Sequence, residues 1–233
     1  MQVVTPVRDH DLTARAHLRN SAIEAFALRG FGASVREIAT LAGVSAGLIT
    51  HHFGSKQKLR EECDAEVLKQ YGILKSDGIA MSPTQTMARM TELDDYALLF
   101  IYILRSMRDG GVAGTTFLEN MIKETIIFTE EGVASGVIRP SRDPAARARH
   151  LVTSSLGGLL LQLSLIPQLD LAEAGPTVRR LVNEVTLPTL ELYTEGILTD
   201  RRYLDEYLLY IGDPPGTAST TTTTTPTTTE TTT

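Results

Sequence analysis

Residues 34–56 read SVREIATLAGVSAGLITHHFGSK, and this stretch decides the fold of the N-terminal region. Ser34 and Glu37 stand three residues apart, which is the spacing of a helix capping box, and Gly43 supplies a helix stop. Ser45 can then cap a second short helix. Two short helices joined by a turn that contains glycine predict a helix-turn-helix.

The second of these helices separates its residues onto two sides. Steps of about 100° from Ser45 put Ile49 and Phe53 on one side. The other side carries Ala46, Gly47, Thr50 and His51. The apolar side must face the preceding helices, so the small and polar side is free to enter a DNA major groove about 12 Å wide. Close approach to DNA explains Gly47, which costs up to about 1 kcal/mol in a helix; a permissive surface glycine is the alternative.

Helical patterns continue on both sides of this stretch. The segment from Leu12 to Gly30 places Ile23, Phe26, Ala27 and Phe31 on one face, and a long helix follows from Lys56 to about Leu74. Further patterns occupy roughly 84–109, 112–134, 143–166, 176–198 and 200–211. No alternating strand pattern interrupts them. The sequence therefore predicts an all-α fold, in which an N-terminal three-helix helix-turn-helix domain is joined by a long helix to a larger helical domain.

Charge is divided unevenly along the chain. The whole chain carries a net charge of −6, but residues 1–60 hold eight basic and four acidic residues, a net charge of +4. The remaining 14 basic and 24 acidic residues give −10. Phosphate binding needs local positive potential rather than a basic whole protein, so the N-terminal end is the candidate DNA-binding face.

The sequence offers no sign of secretion or of a membrane span. Cys63 is the single cysteine and cannot form an internal disulfide, and the N-terminal residues lack the apolar run of a secretory peptide. The most apolar segment, Leu151 to Ile166, is shorter than the ~20 residues of a bilayer span and stops at Pro167, so it is interpreted as a buried helix. We expect a cytoplasmic protein.

Four regions are predicted. Residues 1–10 form an N-terminal arm, 11–60 the helix-turn-helix domain, 61–212 the larger helical domain, and 213–233 a tail. The tail is nearly all threonine and lacks apolar residues to bury, which predicts disorder.

The pattern resembles the TetR family of bacterial transcriptional regulators. The pieces that carry the resemblance are Gly30-Phe31, Ile38-Ala39, Ala42-Gly43-Val44-Ser45, Gly47, His52-Phe53 and Ser55-Lys56. Residues 136–140, GVIRP, are also typical of the long domain of this family. Several independent positions at fixed offsets are more specific than a lone short motif.

The resemblance implies a set of DNA contacts. Arg36 corresponds to the position that reaches a base edge, and a bidentate bond to guanine is the chemistry that suits arginine; a solvated surface arginine is the alternative. Phosphate should be bound by Ser34, by the free amides at the start of its helix, and by Lys56. Capping of that helix is the alternative role of Ser34, and the two roles can coexist. The full predicted set is Ser34, Arg36, Ser45, Ala46, Gly47, Leu48, Thr50, His51, His52 and Lys56.

Two residues depart from the family pattern. Many members have Thr and Tyr where this chain has Leu48 and Thr50, so Leu48 offers only an apolar contact to a thymine methyl group and Thr50 reaches less far. The operator sequence therefore cannot be inherited. His52 matches a phosphate contact, but the adjacent His51 points about 100° away, which makes a poor chelating pair. We predict no metal and no cofactor.

The resemblance also implies a homodimer. Two helices, Asp143 to Ile166 and Gly175 to Leu198, are expected to form a four-helix bundle with their mates, and the small residues around Ser154 to Leu160 would allow close approach. Packing within one subunit is the alternative. The predicted interface residues are Leu151, Ser155, Leu159, Gln162, Leu181, Val185 and Leu192. Two-fold symmetry predicts a palindromic or nearly palindromic operator of double-stranded DNA.

Family members commonly release DNA when a small ligand enters the larger domain. Candidate lining residues for an unknown effector are Tyr96, Phe100, Tyr102, Met107, Phe117, Met121 and Phe128. Apolar residues at helical spacing are usually ordinary core, and that alternative stays open for each of them.

Two other classes of protein are the alternatives. The sequence has no phosphate loop, no HExxH and no GxSxG, and its SxxK at Ser55 to Lys58 falls at a helix start, where serine is an ordinary cap. We therefore expect no enzyme. A helical adaptor without DNA affinity is the second alternative. The preferred hypothesis is a ligand-responsive repressor that binds DNA as a homodimer.

Overall fold

The computed structural model describes residues 9–89, 96–165 and 174–212. These ranges contain helices and no strand, which confirms the all-α prediction. The helices are α1 (Asp9–Arg29), α2 (Val35–Ala42), α3 (Ala46–Phe53), α4 (Lys56–Ala80), α5 (Pro83–Arg89), α6 (Ala97–Asp109), α7 (Gly111–Ala134), α8 (Pro144–Ser164), α9 (Ala174–Thr194) and α10 (Arg202–Tyr210).

Most helices fall where the sequence places them, with two differences. α4 continues to Ala80, past the predicted end near Leu74. The helix predicted at 84–109 is described as two helices, α5 (Pro83–Arg89) and α6 (Ala97–Asp109), and residues 90–95 between them lie outside the described residues. The N-terminal arm up to residue 8 and the tail from residue 213 lie outside the described residues.

The chain divides into two compact units, residues 1–184 and 185–233. The first unit holds α1 to α8 and the beginning of α9, and the second holds the rest of α9 and α10. The second unit exposes much apolar surface, including Leu187, Tyr193, Ile197, Tyr203 and Tyr210.

One hydrophobic core runs through the first unit. Phe26, Ile38 and Ile49 fill its part under the helix-turn-helix, and Tyr102 and Phe117 belong to the same buried cluster further along. α4 contributes to both parts and packs against α1, α6 and α7. The helix-turn-helix is thus built on the same core as the larger helical region, so a change in packing in one part can reach the other.

The C-terminal end of α1 is bonded to α6. The Arg105 guanidinium donates to the carbonyl oxygens of Ala27 at 2.5 Å and Leu28 at 3.1 Å. The last carbonyls of a helix have no intrahelical partner, so a cation at this end satisfies them and also opposes the helix dipole. Gly30 follows with a φ of 84°, a conformation that favours glycine.

A second set of polar contacts joins α4 to α6. The Tyr102 hydroxyl donates to Asp64 Oδ1 at 2.6 Å, and Arg60 Nη1 donates to Asp109 Oδ2 at 2.8 Å. The Arg60 guanidinium also lies 3.6 Å from the centroid of the Phe31 ring. Burial raises the pKa of the Asp64 carboxyl, and the hydrogen bond from Tyr102 partly offsets that rise. These contacts fix α4, which begins directly after the helix-turn-helix, against the larger helical region.

Candidate nucleic-acid interface

The start of α2 is a complete capping box, as predicted. Ser34 Oγ accepts a hydrogen bond from the Glu37 amide at 3.2 Å, and the Glu37 carboxylate accepts one from the Ser34 amide at 2.7 Å. These hydrogen bonds from Ser34 hold the pKa of Glu37 below its usual value, and so do the nearby charges of Arg29 and Lys56. A carboxylate therefore sits at the helix end that was predicted to receive phosphate. Basic side chains must offset its charge for an anion to bind there.

The turn between α2 and α3 has the geometry of a Schellman motif. Gly43 adopts φ 68° and ψ 30°, its amide donates to Thr40, and the Val44 amide donates to Ala39 at 2.9 Å. Glycine is the residue that takes this left-handed conformation without steric cost. Val44 is partly buried against the core. The turn therefore sets α3 at a fixed angle to α2.

α3 buries one side and exposes the other, which confirms the predicted division. Ile49 and Phe53 are 2% and 4% exposed. Gly47, Leu48, Thr50 and His51 are exposed. Ala46 differs from the prediction: it is partly buried and packs against the core, because the first residue of α3 turns toward the preceding helices. The surface available to a duplex therefore begins at Gly47.

Hydrogen bonds within α3 limit what its polar side chains can offer. Ser45 Oγ accepts from the Leu48 amide at 3.3 Å and so caps the helix, as predicted. Thr50 Oγ1 donates to the Ala46 carbonyl at 3.2 Å. Its one hydroxyl proton is used within the helix, so Thr50 is left to act as an acceptor.

Arg15 of α1 supports the C-terminal end of α3, and the sequence interpretation missed it. Its guanidinium donates to the His52 carbonyl, forms an ion pair with Glu62, and lies 4.6 Å from the centroid of the Phe53 ring. The sequence carries one sign of this role, because Arg15 is a cation three residues before Leu18, on a face of α1 that is otherwise buried. Arg15 therefore holds the C-terminal end of α3 against α1 and α4.

The two cationic residues predicted to contact DNA are Arg36, which precedes α3 in the sequence, and Lys56, which follows it. Arg36 is exposed on the first turn of α2, and its guanidinium forms no hydrogen bond or ion pair with any residue that the structure describes. Lys56, partly buried, begins α4, which Ser55 caps through the Lys58 amide at 3.2 Å. A free guanidinium can meet a base edge without first breaking a bond within the protein.

His51 and His52 lie next to each other at the end of α3. The rings of His51 and His52 are 5.5 Å apart between centroids, and across the described ranges no group of three or more His, Cys, Asp or Glu side chains could hold a metal ion. His51 is exposed and His52 is partly buried.

The candidate effector-pocket residues lie in or beside the core. Tyr102, Phe117 and Met121 are buried, and Tyr102 uses its hydroxyl on Asp64. Tyr96, Phe100, Met107 and Phe128 are partly buried against the same cluster. Their helical spacing suits a core and a pocket equally, so a ligand-binding role for them stays a prediction.

The candidate dimer residues are divided between surface and interior. Ser155 and Leu192 are exposed, while Leu151, Leu159, Gln162 and Val185 are partly buried. Leu181 is 3% exposed and packs within its own subunit. On α8, a Cβ added to Gly157 or Gly158 would meet nothing within 4 Å, and Leu161 is 64% exposed. The small residues on this part of α8 therefore leave a shallow surface beside the exposed side chain of Leu161.

Among the described residues, no helix has both the length and the hydropathy needed to cross a bilayer.

Comparison with known proteins agrees with this geometry. The sequence model of bacterial regulatory proteins of the tetR family matches residues 18–63, and that of the tetracyclin repressor-like C-terminal domain matches residues 94–199. The helix-turn-helix and most of the larger helical region are thus both matched.

Curated relatives and a solved structure extend the likeness along the chain. The HTH-type transcriptional regulatory protein RaaS of Mycobacterium tuberculosis is 42% identical over 204 residues, covering 87% of this chain and 95% of that protein. The HTH-type transcriptional repressor AcnR of Corynebacterium jeikeium is 29% identical over 163 residues, covering 67% and 86%. A tetR-family regulator from Streptomyces coelicolor shares the fold, with a TM-score of 0.51, 17% identity, and coverage of 86% of this chain and 98% of that one.

Proposed function

The chain belongs to the TetR family of bacterial transcriptional regulators, and from this premise we propose that it is a ligand-responsive repressor that binds a palindromic or nearly palindromic operator as a homodimer. The observation that carries the proposal is the exposed face of α3, which carries Gly47, Leu48, Thr50 and His51 and is held by the burial of Ile49 and Phe53. Two such helices related by a two-fold axis would enter neighbouring major grooves on one side of the DNA.

Residues of α3 and of the helices on either side of it have separate chemical roles in the proposal. Arg36 donates two N–H groups to the O6 and N7 atoms of a guanine. Leu48 contacts a thymine methyl group, and the Thr50 hydroxyl accepts from an exocyclic amine. Ser34, Ser45, the first-turn amides of α2 and α3, His52 and Lys56 contact phosphates or lie beside them. Lys56 also offsets the charge of the nearby Glu37 carboxylate, which would otherwise repel the backbone.

The direct test is operator binding by Arg36→Ala and Lys56→Ala. Genomic fragments bound by the wild-type protein supply the operator, and affinity is then measured at several salt concentrations. Arg36→Ala should weaken binding about 10- to 100-fold and relax specificity at one position, because it removes a bidentate base contact. Lys56→Ala should weaken binding to all sequences and lower the salt slope by about 1, because it removes a phosphate contact.

The matched control for this test is Lys123→Ala, which removes an exposed lysine from α7 in the larger helical region. It should leave affinity and salt slope unchanged. A wild-type protein that selects no DNA fragment would refute the proposal, and substrate turnover by such a protein would favour an enzyme.

Gly47→Ala should change stability and DNA affinity in opposite directions. A Cβ at Gly47 meets only Ser45 Oγ, at 3.8 Å, so the fold accepts alanine and should gain up to about 1 kcal/mol in the free energy of unfolding. Operator affinity should fall about tenfold, because the added methyl group keeps the helix backbone from the base edges. Chemical denaturation and operator titration measure the two effects.

Gly78→Ala is the control for Gly47→Ala. Gly78 lies within α4, and a Cβ there meets nothing within 4 Å. This variant should also gain stability but should keep full operator affinity. Unchanged affinity in Gly47→Ala would show that the recognition helix does not approach DNA through this glycine.

The homodimer is proposed from α8 and α9. Ser155 and Gly158 leave one side of α8 shallow, and Leu187 and Leu190 expose apolar surface on the second half of α9. Small side chains let helices approach closely, so a partner helix could cover each surface.

The response to a ligand is proposed to reach α1 through α6. Arg105 bonds the last carbonyls of α1, and Tyr102 of the same helix bonds Asp64 of α4. A ligand that shifts α6 would pull on both helices that support the recognition helix. Such a link requires that the ligand bind the DNA-bound and free conformations with different affinities.

A further inference from the structure

α10 carries three exposed tyrosines on one face. Tyr203, Tyr207 and Tyr210 follow each other at intervals of four and three residues, so they lie within about 60° of one another around the helix. Their exposed fractions are 73%, 59% and 86%. Single apolar side chains on a surface are ordinary, but a continuous row along one helix face marks an interaction surface. We call these three residues the tyrosine stripe.

The rest of α10 leaves the tyrosine stripe uncovered. Leu208 is the buried residue of this helix, at 4% exposed, and it points about 100° away from Tyr207. The rings of Tyr207 and Tyr210 stack at 6.5 Å between centroids, with 29° between their planes. The three hydroxyl groups form no hydrogen bond with any residue that the structure describes. The stripe is thus arranged by its own helix, while its outer surface is open to solvent.

A helix as short as α10 needs packing on an apolar face. It has nine residues, and isolated helices shorter than about 12 to 15 residues are marginal in water. Leu208 supplies one packing contact, and the tyrosine stripe has a larger surface to bury. Tyrosine suits an interface because its ring is large and rigid while its hydroxyl group can stay in contact with water. Tyrosine is also enriched among the residues that dominate binding energy at interfaces.

The size of the tyrosine stripe limits the kind of interface that it can form. An aromatic side chain buries about 200 Å². Exposed fractions between 59% and 86% therefore leave roughly 400 Å² on the three rings together. A stable interface buries about 800 Å² on each partner. The stripe is too small to hold two proteins together alone, so it fits a contact that adds to a larger interface.

The neighbouring surface points to a second copy of this chain as the partner. α10 belongs to the same compact unit as the second half of α9, where Leu187 and Leu190 expose the apolar surface assigned to the proposed homodimer. The stripe carries no charge, and Arg201 pairs with Asp205 at 2.8 Å within the same segment. Two copies of the stripe can therefore meet without placing like charges in contact.

We propose that α10 of one subunit packs against α10 of its partner through the tyrosine stripe, as a second contact of the homodimer. The inference rests on the proposed function, because it extends the interface proposed for α8 and α9. A two-fold axis brings the same surface of both subunits together. Tyr207 lies at the middle of the stripe, so it meets the partner's Tyr207 whether the two helices run parallel or antiparallel. The rings of the two subunits then stack with an offset.

Cross-linking of full-length cysteine variants tests the proposal. The native cysteine, Cys63, is 0% exposed and burial raises the pKa of its thiol, so it does not react readily. Tyr207→Cys should be joined into a covalent dimer by a short bis-maleimide that spans the roughly 8 to 10 Å between packed helices. Leu209→Cys is the matched control. Leu209 is 52% exposed but points about 160° away from Tyr207, so this variant should not be cross-linked.

A charge placed on the stripe gives an independent measurement. Tyr207→Arg brings two like charges together at the axis and should raise the dissociation constant of the dimer about tenfold or more, as measured by sedimentation at several protein concentrations. Leu209→Arg should leave this constant unchanged. Both side chains are exposed in the subunit, so both variants should melt near the wild-type temperature.

Three results would overturn the inference while the homodimer stands. They are a dimer in which Tyr207→Cys is not cross-linked, equal cross-linking of Tyr207→Cys and Leu209→Cys, and an unchanged dissociation constant in Tyr207→Arg. A wild type that sediments as a monomer would overturn the inference and the homodimer together. Selection of operator DNA is measured separately on the wild type, so failure of DNA binding is distinguished from failure of the α10 contact.

Discussion

Gly158→Glu should turn the dimer into a monomer and weaken operator binding about a thousandfold. A Cβ at Gly158 meets nothing within 4 Å, so a single subunit accepts the new side chain. At a close helix-helix contact the same side chain would bury an unpaired charge and hold the partner away. A monomer binds one half-site and loses the second contact, which is worth roughly 10²- to 10⁴-fold in affinity. Sedimentation and operator titration measure the two losses.

Gly157→Glu is the matched control, because it places the same charge on the neighbouring residue. Gly158 lies about 60° around α8 from Ser155, whereas Gly157 lies about 160° away. Both positions are open in the subunit. Gly157→Glu should therefore stay dimeric and bind the operator normally. A dimer that survives Gly158→Glu would show that this side of α8 is not the interface.

The helix-turn-helix could be predicted because its determinants are local. Ser34 with Glu37 and Ser45 with Leu48 act within three residues, and Gly43 ends α2 by its own backbone conformation. Burial of Ile49 and Phe53 follows from helical periodicity alone. Such features are visible in the sequence, since no distant residue is needed to complete them.

The contacts that hold this motif in place could not be predicted, because they join distant parts of the chain. Arg15 reaches a carbonyl 37 residues away, and Arg105 reaches one 78 residues away. A backbone carbonyl has no side-chain signature, so nothing in the sequence pairs it with a particular arginine. Only the packing of α1 against α4 and α6 brings these groups together.

The function of the larger helical region is less predictable from its sequence for a different reason. Core positions and pocket positions share the same apolar periodicity, so Tyr102 and Phe117 could be placed on buried faces but not assigned to a cavity. Leu181 and Leu192 lie about 20° apart around α9, yet the first is buried and the second is exposed. Periodicity predicts the direction in which a side chain points, but it does not predict whether another helix covers that side chain.

Arg105→Ala should lower the free energy of unfolding by about 3 kcal/mol and the melting temperature by about 6 to 12 °C. The variant removes two charge-assisted hydrogen bonds and leaves the carbonyls of Ala27 and Leu28 without partners. Arg108→Ala is the control on the same helix. Arg108 is exposed and has no partner among the described residues, so its loss should change stability by less than about 0.5 kcal/mol.

Arg105→Ala also tests whether Arg105 only supports α1 or transmits the ligand signal as well. The assay is done below the melting temperature of the variant, so that the protein is folded. If Arg105 carries that signal, Arg105→Ala should still bind an effector but should release the operator less completely than the wild type. Destabilisation alone would weaken effector binding and operator binding together. Full release by a folded Arg105→Ala protein would point to the polar contacts between α6 and α4 instead, which are Tyr102 with Asp64 and Asp109 with Arg60.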